Sequence, residues 1–206
     1  MTLQAIEAWN QRAFLAMNAD PQSSTMIIKL ASVLASWPNN LAVVLLLLAW
    51  VRRGAEARSA VLDALLTASI GLLIARAISA AWYHPRPFEI GLGHQYLAHR
   101  PDASFPSDHG TFMFALALCY FLRPALRRWG VGLLMLGGLV AWARIYLGVH
   151  FPLDMVGAFG VAFVAALMVR RAEGPLHRAV YSRLSSVYES VLRWLGLPQL
   201  IFPRNL

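Results

Sequence analysis

Three short segments of this 206-residue chain gather imidazole, guanidinium, hydroxyl and carboxylate side chains. The first is His84-Pro85-Arg86-Pro87-Phe88. The second is Phe105-Pro106-Ser107-Asp108-His109-Gly110-Thr111. The third runs from Ala143 to Asp154 and holds Arg144, His150 and Asp154. Pro106 disfavours helix before it and Ser107 is a good N-cap, so a helix is expected to start there. Its first amides would face any bound anion, with His109 in the first turn beside it. Pro152 suits the first position of another helix, and His150 and Asp154, four apart, can meet within one turn. A carboxylate that accepts from one imidazole nitrogen fixes the tautomer and leaves the other lone pair free. Such a nitrogen is a nucleophile. Arg86 and Arg144 offer planar forks that match phosphate oxygens. The set amounts to an oxyanion cradle, an oriented nucleophile and a second histidine able to donate a proton. That is phosphoryl-transfer chemistry with no metal and no cofactor expected.

For these segments to converge, the elements between them must return each to one place. Apolar residues make up 58% of the chain and charged ones 14%, against roughly 25% charged in soluble domains. Mean hydropathy is +0.54. Such figures exclude a disordered chain, and the one cysteine, Cys119, excludes a disulfide-stapled module. They also argue against an ordinary soluble enzyme. The net charge of +8 comes from seventeen arginines and Lys29 set in clusters between apolar runs. That arrangement fits a membrane protein and not a nucleic-acid partner. Crossings are expected at Ser59–Trp82, Ser107–Leu122, Trp129–Leu147 and Pro152–Val169. Met26–Trp37 and Leu41–Val51, separated by Pro38-Asn39-Asn40, are either two crossings or one interfacial segment and one crossing.

The expected fold is therefore all-α: a polytopic bundle of five or six transmembrane helices forming one domain over residues 1–206. Residues 1–20 suit an interfacial helix. The tail, residues 172–206, reads either as an amphipathic helix on the inner surface or as a solvated basic segment. No cleavable signal is visible. Arg52, Arg53, Arg58, Arg123, Arg127, Arg128, Arg170, Arg171, Arg178, Arg183, Arg193 and Arg204 fall on one side by alternation, which should be cytoplasmic. The three polar segments then share the outer face. His94, His99 and Asp102, on the loop between the first two segments, are read as loop structure, and Asp63 as paired with a nearby arginine.

At these residues the chain resembles the type-2 phosphatidic acid phosphatase family, whose pattern is Lys-x6-Arg-Pro, then Pro-Ser-Gly-His, then Ser-Arg-x5-His-x3-Asp. Here it reads Arg86-Pro87, then Pro106-Ser107-Asp108-His109, then Arg144, His150 and Asp154 at the same spacing. The motif core, residues 76–154, is most similar to the bacitracin-resistance type of undecaprenyl-diphosphate phosphatase. The resemblance implies that His150 attacks phosphorus and forms a phosphohistidine, that Asp154 orients it, and that His109 protonates the leaving oxygen and then activates water. It also implies that Arg86, Arg144, Ser107 and the amides near Asp108 and Gly110 hold the phosphoryl oxygens. The implied partner is a polyprenyl diphosphate in a bacterial inner membrane, hydrolysed at the outer face to recycle the carrier lipid of wall synthesis. Other lipid phosphatases or phosphotransferases, acting on phosphatidate or phosphatidylglycerophosphate, and a non-catalytic lipid-binding or transport protein remain as alternatives.

Three departures stand out. The family lysine falls at Ser79, the family glycine is Asp108, and the family serine before Arg144 is Ala143. Arg76, nearly one turn before Ser79, is expected to supply the missing phosphate-binding charge, with Arg100 or His84 as substitutes. The Asp108 carboxylate must point away from phosphate or pair with an arginine.

Overall fold

Long apolar runs leave backbone groups no partner but one another, so they fold as helices. The structure, a computed structural model, describes residues 2–52, 54–172 and 175–196, and every regular element among them is helical. In chain order these are α1 (Leu3–Met17), α2 (Thr25–Arg52), α3 (Ala55–Ala81), α4 (Asp108–Phe121), α5 (Arg127–Tyr146), α6 (Pro152–Arg171) and α7 (Pro175–Trp194). Short 3-10 turns lie at Pro87–Ile90 and Pro124–Leu126.

Four helices are long and apolar enough to cross a membrane: α2, α3, α6, and α5 taken with its preceding turn. The chain is a multi-pass membrane protein. Of the expected crossings, α4 is the short one. Its 14 residues span about 21 Å, less than a bilayer core. It lies at the centre, packed on α3, α5 and α6. The expected break near Pro38 does not occur. Met26–Trp37 and Leu41–Val51 form one continuous helix with Pro38 inside it, so this stretch is one span and not two. Proline removes one helical donor. Here packing of α2 on α5 and α3 carries the helix through.

Neighbouring spans run antiparallel, so α3 and α5 end where α4 and α6 begin, and all three polar segments meet on one face. The amphipathic α1 is docked there. Phe14 is fully buried and meets the Phe151 ring edge-on, with centroids 5.3 Å apart. Asn10 Oδ1 accepts from Leu153 N at 3.1 Å. Asn18 Nδ2 donates to the carbonyls of His94 and Tyr146, at 2.9 and 3.0 Å. The first helix is thus a strut under the site.

The opposite face carries the arginine clusters. Asp63 pairs with Arg123, as expected from the sequence. Over its described part the tail is a helix docked on the α2–α3 junction. Tyr188 Oη donates to Val51 O at 3.1 Å, and the Arg58 guanidinium sits 4.4 Å over the Tyr188 ring. Arg53, Arg204, the side chain of Arg178 and residues 173–174 and 197–206 of the expected tail lie outside the described residues.

The turn from α5 to α6 depends on Gly148, whose φ of +79° favours glycine. A Cβ there would lie 2.1 Å from the His94 carbonyl oxygen. Gly148→Ala should therefore cost about 1–3 kcal/mol, seen as a lower Tm in detergent. An unchanged Tm would contradict this account of the turn.

Candidate active site

His150 sits in the turn between α5 and α6, just before the helix start at Pro152. Asp154 is the third residue of α6. Its Oδ2 accepts from the Phe151 amide at 2.7 Å, a helix-start contact that aims the carboxylate back at the turn. The same oxygen lies 3.1 Å from His150 Nδ1 and accepts from Ser104 Oγ at 2.5 Å. Arg86 Nη1 is 3.1 Å from Nε2 and 3.5 Å from Nδ1, and Arg144 Nη2 is 3.5 Å from Nε2. Guanidinium groups only donate. Nε2 must therefore be the acceptor and Nδ1 must carry the proton, donating to Asp154. The Asp154 acceptor at Nδ1 and the nearer guanidinium contact at Nε2 together select this tautomer.

The surroundings are dry. Arg86 is 4% exposed, Arg144 and His150 1%, and Asp154 fully buried. Arg86 is held by the Asp102 carboxylate, with Nε 2.8 Å and Nη2 2.7 Å from Oδ1, and by the Val149 carbonyl at 2.8 Å. Arg144 has no carboxylate partner among the described residues. Its Nη1 donates to Ala35 O at 3.2 Å and its Nε has no partner there. A buried cation without a counter-ion is costly, and an anion bound beside Nε2 would offset that cost. Burial first, then the Arg144 and Arg86 charges, hold the His150 ring well below its ordinary imidazole range, so it is neutral near pH 7.

Ser107 caps α4. Its Oγ accepts from Gly110 N at 3.3 Å, so the Gly110 amide is occupied and the amides of Asp108 and His109 are the first-turn donors left. His109 lies within electrostatic reach of Arg144, His99 and Arg86, and Asn39 of α2 holds its carbonyl at 3.3 Å. Arg76 is 75% exposed and pairs with Asp108 through Nε (3.1 Å) and Nη2 (2.9 Å). The departure at Asp108 is thus neutralised by Arg76. Ser79, in the family lysine's place, donates to Phe105 O at 2.9 Å. His84 faces Glu7 of α1 at 3.4 Å, and Arg100 is exposed on the loop. Sequence reasoning missed Ser104, Asn39 and the Asp102 contact to Arg86. Each is an ordinary polar residue in an irregular segment or a helix, and only the fold brings it to the site.

A family model, the PAP2 superfamily, matches residues 60–177. The chain belongs to the PAP2 superfamily. It is 33% identical over 184 residues to YbjG of Escherichia coli (strain K12), provisionally named an undecaprenyl-diphosphatase, covering 89% of this chain and 92% of that protein. It is 32% identical over 151 residues to the undecaprenyl-diphosphatase BcrC of Bacillus subtilis (strain 168), covering 73% and 77%. The fold is similar to the crystal structure of a transmembrane PAP2-type phosphatidylglycerolphosphate phosphatase from Bacillus subtilis. That match has a TM-score of 0.62 and 18% identity, over 82% of this chain and 86% of that one.

Two predictions follow from the charges. In a 15N-resolved pH titration, the His150 ring should remain neutral as pH falls through 6, below the ordinary value of about 6.5. Arg144→Met removes a positive neighbour and should move its protonation to higher pH; a shift to lower pH would contradict the assignment. Arg76→Ala should raise KM by up to about fivefold by baring Asp108, and Asp108→Gly in that background should restore it. An additive loss in the double variant would show that Arg76 itself holds substrate.

Proposed function

We propose that the protein is a metal-independent undecaprenyl-diphosphate phosphatase, one domain over residues 1–206, acting at the outer face of a bacterial inner membrane. The observation that carries the chemistry is His150 Nε2 between two buried guanidinium groups, with Asp154 behind Nδ1. The substrate reading is supported by two relatives with that named activity that align with most of the chain. The orientation is supported by the arginine clusters on the face opposite the site, which is the cytoplasmic pattern. On this reading the described part of α7 lies on the cytoplasmic side.

The steps follow from the placement of the groups. The lipid keeps its chain in the bilayer and presents its terminal phosphate between Arg86 and Arg144. Ser107 and the first amides of α4 hold its oxygens. Nε2 attacks the terminal phosphorus, and the bond to the bridging oxygen breaks. The imidazolium proton on Nδ1 stays with Asp154 as its acceptor. Undecaprenyl phosphate leaves with its oxygen protonated by His109. His109 then takes a proton from water, whose oxygen attacks the phosphohistidine, releasing phosphate and regenerating the ring. Charge stabilisation and positioning dominate such a reaction. The departing oxygen remains on a second phosphorus, a better leaving group than an alkoxide, so a diphosphate asks less of His109.

Purified protein in detergent with chelator should release phosphate from undecaprenyl diphosphate in preference to phosphatidate and phosphatidylglycerophosphate. Loss of activity in chelator, or preference for a monophosphate lipid, would contradict the reading. His109→Ala should cost about 10²-fold or more on phosphatidate and clearly less on the diphosphate. Equal losses would contradict the division of labour.

A further inference from the structure

A third imidazole belongs to the site. His99 lies on the outer loop between the 3-10 turn at Pro87–Ile90 and α4, a loop tied down at His94 by Asn18 and at Tyr96 by the Leu147 carbonyl. The His99 ring stands 6.2 Å from the His150 ring, centroid to centroid, at 74°. Its Nδ1 lies 3.0 Å from the Arg100 carbonyl, which can only accept, so Nδ1 carries a proton and Nε2 is left bare. Nδ1 is also 3.7 Å from Asp102 Oδ1, the oxygen that holds Arg86. His99 is thus attached to the same arginine that faces the nucleophile. Its side chain is 20% exposed, enough to exchange protons with water.

We propose that His99 is an oxyanion-binding residue of this site and takes up a proton from water as the anion binds, then donating Nε2–H to an anion oxygen. This rests on the phosphatase reading above and adds a residue to it. The groups facing His99 make the coupling one of sign. Arg86 and Arg144 oppose the imidazolium, and the imidazoles of His109 and His150 join them when charged; Asp102 favours it. Burial and the two guanidinium charges hold His99 below its ordinary range in the free protein. An anion between the guanidinium groups reverses that field.

Tungstate is a suitable probe because it stays dianionic near neutral pH. Its affinity for the full-length protein in detergent should rise as pH falls from 8 to 6. In His99→Gln that rise should flatten and binding at pH 6 weaken by about tenfold, the value of one charge-assisted hydrogen bond, with Tm unchanged. His109→Gln removes the proposed acid and should keep the His99-dependent part of the slope. The wild-type His99 ring, followed by 15N resonance at pH 7, should become protonated on adding tungstate; this needs no variant. An unaltered slope in His99→Gln, a slope lost only in His109→Gln, or a ring that stays neutral with tungstate bound would overturn the proposal. None of these readouts requires turnover, so failure to hydrolyse undecaprenyl diphosphate would sink the functional reading and leave this test intact.

Discussion

The structure turns on two guanidinium groups donating to one imidazole nitrogen in a buried place. Arg86 has Asp102 to balance it, but among the described residues Arg144 has carbonyl and imidazole partners only. A buried cation in that position is a standing cost, and an anion against Nε2 would remove it. Burial and the same two charges keep His150 neutral, and its proton sits on Nδ1, where Asp154 and Ser104 complete the network. One arrangement therefore serves binding, nucleophile state and tautomer together.

Holding it requires helix ends from four spans at one level, and the connecting segments share that work. α1 lends Phe14, Asn10 and Asn18 to the α5–α6 turn. The loop before α4 supplies Ser104, whose amide is fixed by the His84 carbonyl at 2.8 Å. Gly110 lets α4 come close to α6: a Cβ there would be 3.1 Å from Ala158 Cβ and from Met155 Sδ. The site is the place where backbone ends, with their unsatisfied donors and acceptors, are gathered out of the apolar bundle.

Much of this was legible in the residues. The spacing of His150 and Asp154, the Ser107 cap and the apolar runs each follow from local rules, and local rules act whatever the surroundings. What the sequence hid was non-local. Pro38 reads as a break because proline costs a helix one donor, yet packing on α5 outweighed that. Arg76 reads as a phosphate ligand, and only the fold sets Asp108, 32 residues away, beside it. Ser104 and Asn39 have no spacing signal at all. α1 reads as a surface amphipath because Asn10 and Phe14 reveal their partners only when the α5–α6 turn is in place.

The central claim is that His150 Nε2 carries the phosphoryl group in transit. Rapid quench into alkali of protein mixed with undecaprenyl diphosphate labelled in its terminal phosphate, followed by peptide mapping, tests it directly. Label should appear on His150, stable to alkali and lost in acid, and should accumulate in His109→Asn, where hydrolysis of the intermediate is slowed. Label on another residue, or rapid turnover with no labelled protein in either form, would contradict the account.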